Sequence, residues 1–151
     1  MKTLKINVPT GYEVDTEKST FENIVFKEIE KDITERIKTI EDACKYLGEI
    51  DDDVRHLRLL QNIPNINRRN LAGQELTVIA KALNEGTILD WDNHDQYKYI
   101  PWWYLGKDFR LCCVCECCTY SFVGAPLYVK SRELADYSAK QFKSIWKDYL
   151  N

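Results

Sequence analysis

Residues 97–118 read YKYIPWWYLGKDFRLCCVCECC, and this stretch decides the fold class. Its many aromatic side chains are typical of β-strands, because large flat rings pack well on a pleated surface. Two or three strands fit between Tyr97 and Val129, and we expect Pro101, Gly106 and residues 124–126 to separate them. The stretch therefore predicts a β-sheet in the last third of the chain.

A second pair of strands is predicted near the start of the chain. Residues 2–8 alternate between polar and apolar side chains, which is a strand pattern, and residues 21–26 form the second candidate strand. We expect the two to pair through the connection 9–20, so that a strand pair occupies residues 2–29.

Helices are predicted between the two groups of strands, over residues 33–86. Thr39 and Asp42 form a capping-box pattern at the start of the first helix. Asp51 opens the second, where negative charge suits a helix N-terminus. The third helix carries one apolar stripe at helical spacing. Its members are Ala72, Leu76, Ile79, Ala80 and Leu83.

A last helix is predicted after Ser131, which is a suitable N-cap. We expect its apolar stripe to pack on the sheet; the stripe consists of Leu134, Ser138, Phe142, Ile145, Trp146 and Tyr149. Strands at both ends with helices between them favour an α+β fold, with an antiparallel sheet and helices packed on one face. A chain of 151 residues supports one ordinary core, so we expect a single domain over 1–151 that ends with the strands and helix of 97–151.

Composition and charge exclude several classes of protein. The net charge of −3 disfavours binding to duplex nucleic acid, since such proteins replace counterions with basic side chains. No apolar run approaches the roughly 20 residues that cross a bilayer, and the first residues lack the apolar core of a signal peptide. We expect a soluble, cytoplasmic protein with reduced cysteines.

Catalytic motifs are missing from the sequence, so we predict no catalytic residue and no cofactor. Lys18 lacks the preceding glycine of a P-loop, and neither of the two histidines stands in a recognisable catalytic motif. Residues 90–95 begin like a calcium loop but lack the glycine and glutamate that an EF-hand requires. We interpret them as a turn in which Asp and Asn side chains bond to their own backbone.

The cysteine cluster CCVCECC, residues 112–118, has two interpretations. In a strand Cys113, Cys115 and Cys117 face one way, and soft thiolates bind zinc or copper(I). No second Cys or His pair stands at ligand spacing, so a reduced, metal-free structural strand is the favoured interpretation. A metal site at Cys113, Cys115 and Cys117 is the alternative.

The aromatic segment and the polar loop before it are the predicted binding surface. Flat rings with polar edges suit stacking on sugars or bases, or anchoring a protein partner. Consecutive strand residues point to opposite faces, so one ring of the pair Trp102 and Trp103 should be at least partly exposed. The candidate residues are Asp90, Trp91, Asp92, His94, Tyr97, Tyr99, Trp102, Trp103 and Tyr104.

Several segments of the chain carry a resemblance to a known group: residues 123–137, 140–142, 147–149, 36–44, 82–86, 90–103, 11–15 and 17–22. They resemble uncharacterised proteins encoded by phages and prophages of Bacteroides and relatives. The chain departs from that group at 86–91, where relatives tend to read GWxPDW, and at 123–127, where they tend to read VGSRL. The resemblance implies a phage or mobile-element origin and no established activity, so it assigns no catalytic residue.

Three classes of function stay open on this basis. The first is a small interaction protein that binds a phage or host protein, in the host cytoplasm or on the virion. The second is a binder of a glycan or nucleotide through the Trp/Tyr cluster, and the third is a metal-binding protein built on the cysteine cluster. A concave cluster of rings would favour a ligand and a flat one a protein. The oligomeric state is left open.

Overall fold

The computed structural model describes residues 5–120 and 125–151. Internal contacts divide the chain into two compact units, 1–32 and 33–151, and each is described by itself. Helices and two antiparallel two-stranded sheets confirm the α+β class. The single domain expected over 1–151 stays a prediction.

The first unit is built on a short hairpin of β1 (Tyr12–Val14) and β2 (Phe26–Glu28). The two predicted strands are therefore wrong in position. Of the first, 2–8, residues 5–8 lie outside any strand, and residues 2–4 lie outside the described part of the chain. Of the second, 21–26, only Phe26 belongs to a strand. Turn chemistry explains the shift. The Asp15 carboxylate accepts the backbone N–H groups of Glu17 and Lys18, both at 3.1 Å, which fixes the register of the strands beside it.

The second unit begins with the predicted helical region. It contains α1 (Ile33–Arg36), α2 (Ile40–Leu47), α3 (Asp52–Gln61) and α4 (Arg68–Leu83). The capping box is confirmed, since the N–H of Asp42 donates to Thr39 Oγ1 at 3.1 Å and the N–H of Thr39 donates to Asp42 Oδ2 at 2.9 Å. Asp51 caps α3 as predicted, and the whole apolar stripe of α4 is buried.

The sheet of the second unit pairs β3 (Lys98–Tyr104) with β4 (Arg110–Cys117) in antiparallel register. Pro101 lies inside β3, so the prediction that it separates two strands is wrong. The backbone N–H and carbonyl of Tyr99 bond to Val129, both at 2.9 Å, on the side away from β4. The backbone nitrogen of Pro101, two residues further along, points to the same side. The ladder with β4 uses no N–H group on that side, so the strand tolerates the proline.

The predicted last helix is two helices, α5 (Arg132–Gln141) and α6 (Lys143–Leu150), both after the predicted cap Ser131. The backbone leaves the helical conformation at Phe142, with φ −110° and ψ 29°. α5 packs on β3 and β4, while α6 packs mainly against α4 and meets β3 through Trp146, whose ring centroid lies 6.1 Å from that of Trp103. The expected packing of the stripe on the sheet therefore holds for α5 and for Trp146, and the bend at Phe142 turns α6 mainly toward α4.

The core of the second unit lies around α4, which packs against α2, α3 and α6. Its most deeply buried members include Val54, Leu57, Leu76, Ile79, Leu83 and Ile100. Within the described ranges, no helix is both long and apolar enough to cross a bilayer.

Candidate functional site

The two adjacent tryptophans of β3 have opposite environments. Trp102 is 42% exposed and Trp103 is 9% exposed, which confirms that one ring of the pair reaches solvent. Trp103 stacks on Phe109 with ring centroids 4.5 Å apart and lies 6.1 Å from the ring of Trp146. Trp103 is therefore a core ring, whereas Trp102 belongs to the surface.

An apolar cleft of about 190 Å³ lies between the end of β3 and the end of α6. We call it the aromatic cleft; its lining consists of Ile100, Pro101, Trp102, Trp103, Leu105, Trp146 and Leu150. Every lining side chain is apolar or aromatic. The bend at Phe142 creates this cleft, since it brings the last turn of α6 to the end of the strand. The cleft holds less than the roughly 300–1,000 Å³ of ordinary small-ligand pockets.

The polar loop before β3 uses its side chains on its own backbone. The Asp90 carboxylate accepts the N–H of Asp92 at 3.0 Å, and the Asn93 side chain accepts the N–H of Asp95 at 2.9 Å. The predicted turn, with Asp and Asn side chains bonded to their own backbone, is confirmed. The side-chain carbonyl of Gln96 accepts the N–H of Asp90 at 2.6 Å. The loop is therefore held from within.

Lys98 anchors this loop from inside the sheet, and the sequence analysis missed it. The side chain is fully buried, and its Nζ donates to the backbone carbonyls of Asn93 at 3.2 Å, Cys118 at 2.7 Å, and Asp90. The ammonium also lies 5.4 Å from the centre of the Trp91 ring. The sequence carries one indication of this role: Lys98 is two residues from Ile100, so both side chains face the same side of a strand whose other residues are aromatic or apolar.

The predicted binding residues do not form one surface. Trp102 and Trp103 line the aromatic cleft, while Asp90, Trp91, Asp92 and His94 are not among its lining residues. The remaining three are tyrosines: Tyr97 and Tyr104 are exposed, and Tyr99 is half-buried. Leu105 and Leu150 also line the cleft, and sequence reasoning missed both, since only the fold brings α6 to β3.

Arginine side chains lie over two of these tyrosines. The guanidinium carbon of Arg110 is 4.2 Å from the ring centre of Tyr104, and that of Arg132 is 5.7 Å from the ring centre of Tyr99. Both distances are within the range of cation–π attraction. Tyr104 and Arg110, beside the turn of the hairpin, thus combine an aromatic face with positive charge.

Cys113, Cys115 and Cys117 follow the predicted alternation of β4, whereas Cys112 departs from it. Cys113 pairs across the ladder with Trp102, and Cys115 pairs with Ile100. Their sulfur atoms are 3.8 Å apart. The ladder shifts register between Trp102 and Trp103, which leaves Cys112 as the extra residue of a bulge. In residues 5–120 and 125–151, no group of three or more His, Cys, Asp or Glu side chains is placed to hold a metal ion.

One thiol of this cluster, that of Cys113, is held in its protonated form at neutral pH. Reduced hydration, followed by hydrogen bonds with Cys115 and Cys112, raises the pKa of Cys113 to about 11. Burial likewise raises the pKa of Cys44, which lies in the core. A high thiol pKa lowers the thiolate population that nucleophilic catalysis requires.

A second cavity, of about 390 Å³, lies beside the C-terminal end of α4. Its polar side chains already have partners in the fold. Asn84 donates to the carbonyl of Tyr128 at 3.0 Å and accepts the N–H of Lys130 at 2.8 Å. Lys81 donates to Asp53 at 2.6 Å. Asn84 thus holds the segment after β4, and Lys81 joins α4 to the start of α3, so both side chains have a structural role.

Comparisons of the chain with protein-family models, with curated proteins and with solved structures each found no match.

Proposed function

We propose that this protein is a small interaction module that binds a protein partner by accepting one of its apolar side chains in the aromatic cleft. The observation that supports this proposal is the lining of the cleft, in which every side chain is apolar or aromatic. Trp102 forms the exposed wall, and Leu105, 55% exposed, stands at the rim.

The chemistry of the cleft favours a protein over a glycan or a nucleotide. Sugars and phosphates carry many polar groups. Burying one such group without a hydrogen bond costs roughly 2–7 kcal/mol. The lining side chains offer little to satisfy those groups, and the volume of about 190 Å³ suits one large side chain. A leucine, methionine or phenylalanine of a partner matches both properties.

The surroundings of the cleft also resemble the composition of protein interfaces. Exposed tryptophan, tyrosine and arginine are enriched where binding energy concentrates, and Trp102, Tyr104 and Arg110 stand together at this end of the hairpin. The resemblance to phage and prophage proteins suggests a phage or host protein as the partner, in the host cytoplasm or on the virion. We propose this class of partner together with the binding role of the cleft.

The proposal is tested by selecting partners against the intact chain and then changing the cleft. A random-peptide display library is panned on the wild-type protein, and the affinity of enriched peptides is measured by calorimetry. We expect peptides that share one large apolar residue, and we expect Leu105→Asp to abolish their binding. Leu59→Asp is the matched control, because Leu59 is a 67% exposed leucine on α3 that does not line the cleft.

Two outcomes contradict the proposal. Peptides that bind Leu105→Asp as well as wild type do not use the cleft. Failure to enrich apolar peptides, combined with specific binding in a glycan or nucleotide array that Leu105→Asp removes, would assign the cleft to a small ligand.

A further inference from the structure

Two thiols lie side by side in the middle of β4. The sulfur atoms of Cys113 and Cys115 are 3.8 Å apart and in hydrogen-bond contact. Cys113 is exposed and Cys115 is half-buried. Cys113 lies opposite the exposed Trp102, so solutes in solvent reach the pair.

A disulfide does not suit this pair as it stands. The sulfur separation of 3.8 Å far exceeds the roughly 2.05 Å of an S–S bond. The Cα atoms of residues two apart on an extended strand lie about 6.6–6.8 Å from each other. This is the upper limit of the Cα separation found in disulfides. Closing the bond therefore requires the strand to distort.

A metal ion bridges the same gap without such distortion. Two metal–sulfur bonds of about 2.3 Å each span about 4.6 Å when they lie in line, the arrangement that a two-coordinate ion prefers, so the sulfur atoms need to move apart by about 0.8 Å from their separation of 3.8 Å. Rotation of the two side chains supplies this change, whereas a disulfide requires the strand itself to distort.

We propose that Cys113 and Cys115 form a two-sulfur binding site for Cu(I). Structural zinc sites use four ligands, and no group of three or more potential ligands is placed to hold a metal in the part of the chain that the structure describes. Cu(I) is soft, prefers thiolates and accepts two ligands. Binding displaces one proton from each thiol and gives a bis-thiolate complex of charge −1, with no change in oxidation state.

The site is tested on the full-length protein under anaerobic, reducing conditions. Cu(I) is presented in competition with a colorimetric Cu(I) chelator, and stoichiometry is measured by native mass spectrometry. We expect one Cu(I) per chain, and affinity lower by on the order of 100-fold or more in Cys113→Ser and in Cys115→Ser, since each loses a direct ligand. Cys118→Ser is the matched control and should bind as wild type does, because Cys118 lies outside the pair.

Circular dichroism and thermal melting verify that each variant is folded, which serine at these strand positions permits. The proposal is overturned when folded wild-type protein takes no Cu(I) from the chelator, or when Cys113→Ser retains wild-type affinity. If Cys112→Ser lowers the Cu(I) affinity as much as Cys113→Ser does, the two-sulfur site is wrong and a larger thiol cluster binds the ion. None of these outcomes depends on the aromatic cleft, so the metal site and the proposed function fail independently.

Discussion

Replacing Lys98 with methionine tests whether a buried cation holds the loop before β3. Methionine keeps an unbranched side chain of similar length and removes the ammonium, so the carbonyls of Asp90, Asn93 and Cys118 lose their shared donor. A buried neutral polar group that loses its hydrogen-bond partner costs about 1–3 kcal/mol. The carbonyls of Asp90 and Asn93 belong to exposed residues and recover hydrogen bonds with water. We therefore expect a loss of about 2–3 kcal/mol in the free energy of unfolding.

The assay combines urea unfolding, followed by circular dichroism, with hydrogen exchange measured by mass spectrometry. Exchange should accelerate in residues 88–96 more than in α4, since the loop loses its anchor. Lys107→Met is the control, because Lys107 is an exposed lysine between β3 and β4. A Lys98→Met protein within about 0.5 kcal/mol of wild type, with unchanged exchange in the loop, refutes the anchoring role.

Three further changes test other parts of the fold. Phe142→Ala should lower the free energy of unfolding by about 3–5 kcal/mol in urea titrations, because Phe142 is a buried ring where α5 meets α6; wild-type stability would contradict this placement. Thr39→Ala should cost about 1 kcal/mol by removing the cap of α2, with Thr39→Ser as the conservative control. Burial raises the pKa of Glu75 above 4.5 despite its ion pair with Arg68, so the folded protein binds a proton more readily there than the unfolded chain. Wild type should therefore lose stability relative to Glu75→Gln as pH rises above about 4.5, and parallel pH profiles would contradict the burial effect.

Local chemistry made part of the structure predictable. The caps at Thr39, Asp51 and Ser131 each depend on residues within three positions, so their sequence patterns suffice. The stripe of α4 and the self-bonded turn near Asp90 were predictable for the same reason. Alternation alone misplaced the first hairpin, because a strand also requires a partner, and the partner is set by the turn at Asp15.

The candidate site was less predictable because its parts come from distant positions. The tryptophans of β3 were visible, and the alternation rule correctly separated their two faces. Leu150 reaches the cleft only because the chain bends at Phe142, and Lys98 finds its acceptors among backbone carbonyls, which carry no residue-specific signal. Contacts of this kind follow from the assembled fold and not from a local pattern.

The proline inside β3 also limits how the protein associates with itself. Exposed strand edges recruit other chains and start aggregation. The outer edge of β3 is bridged to Val129 at Tyr99. At the next hydrogen-bonding position of this edge stands Pro101, which has no N–H group to offer another strand. On the opposite edge of the hairpin, Arg132 donates to the carbonyl of Val114 at 3.0 Å and to the Glu116 carboxylate at 2.6 Å. In the part of the chain that the structure describes, both margins of this two-stranded sheet are therefore poor templates for pairing with another strand.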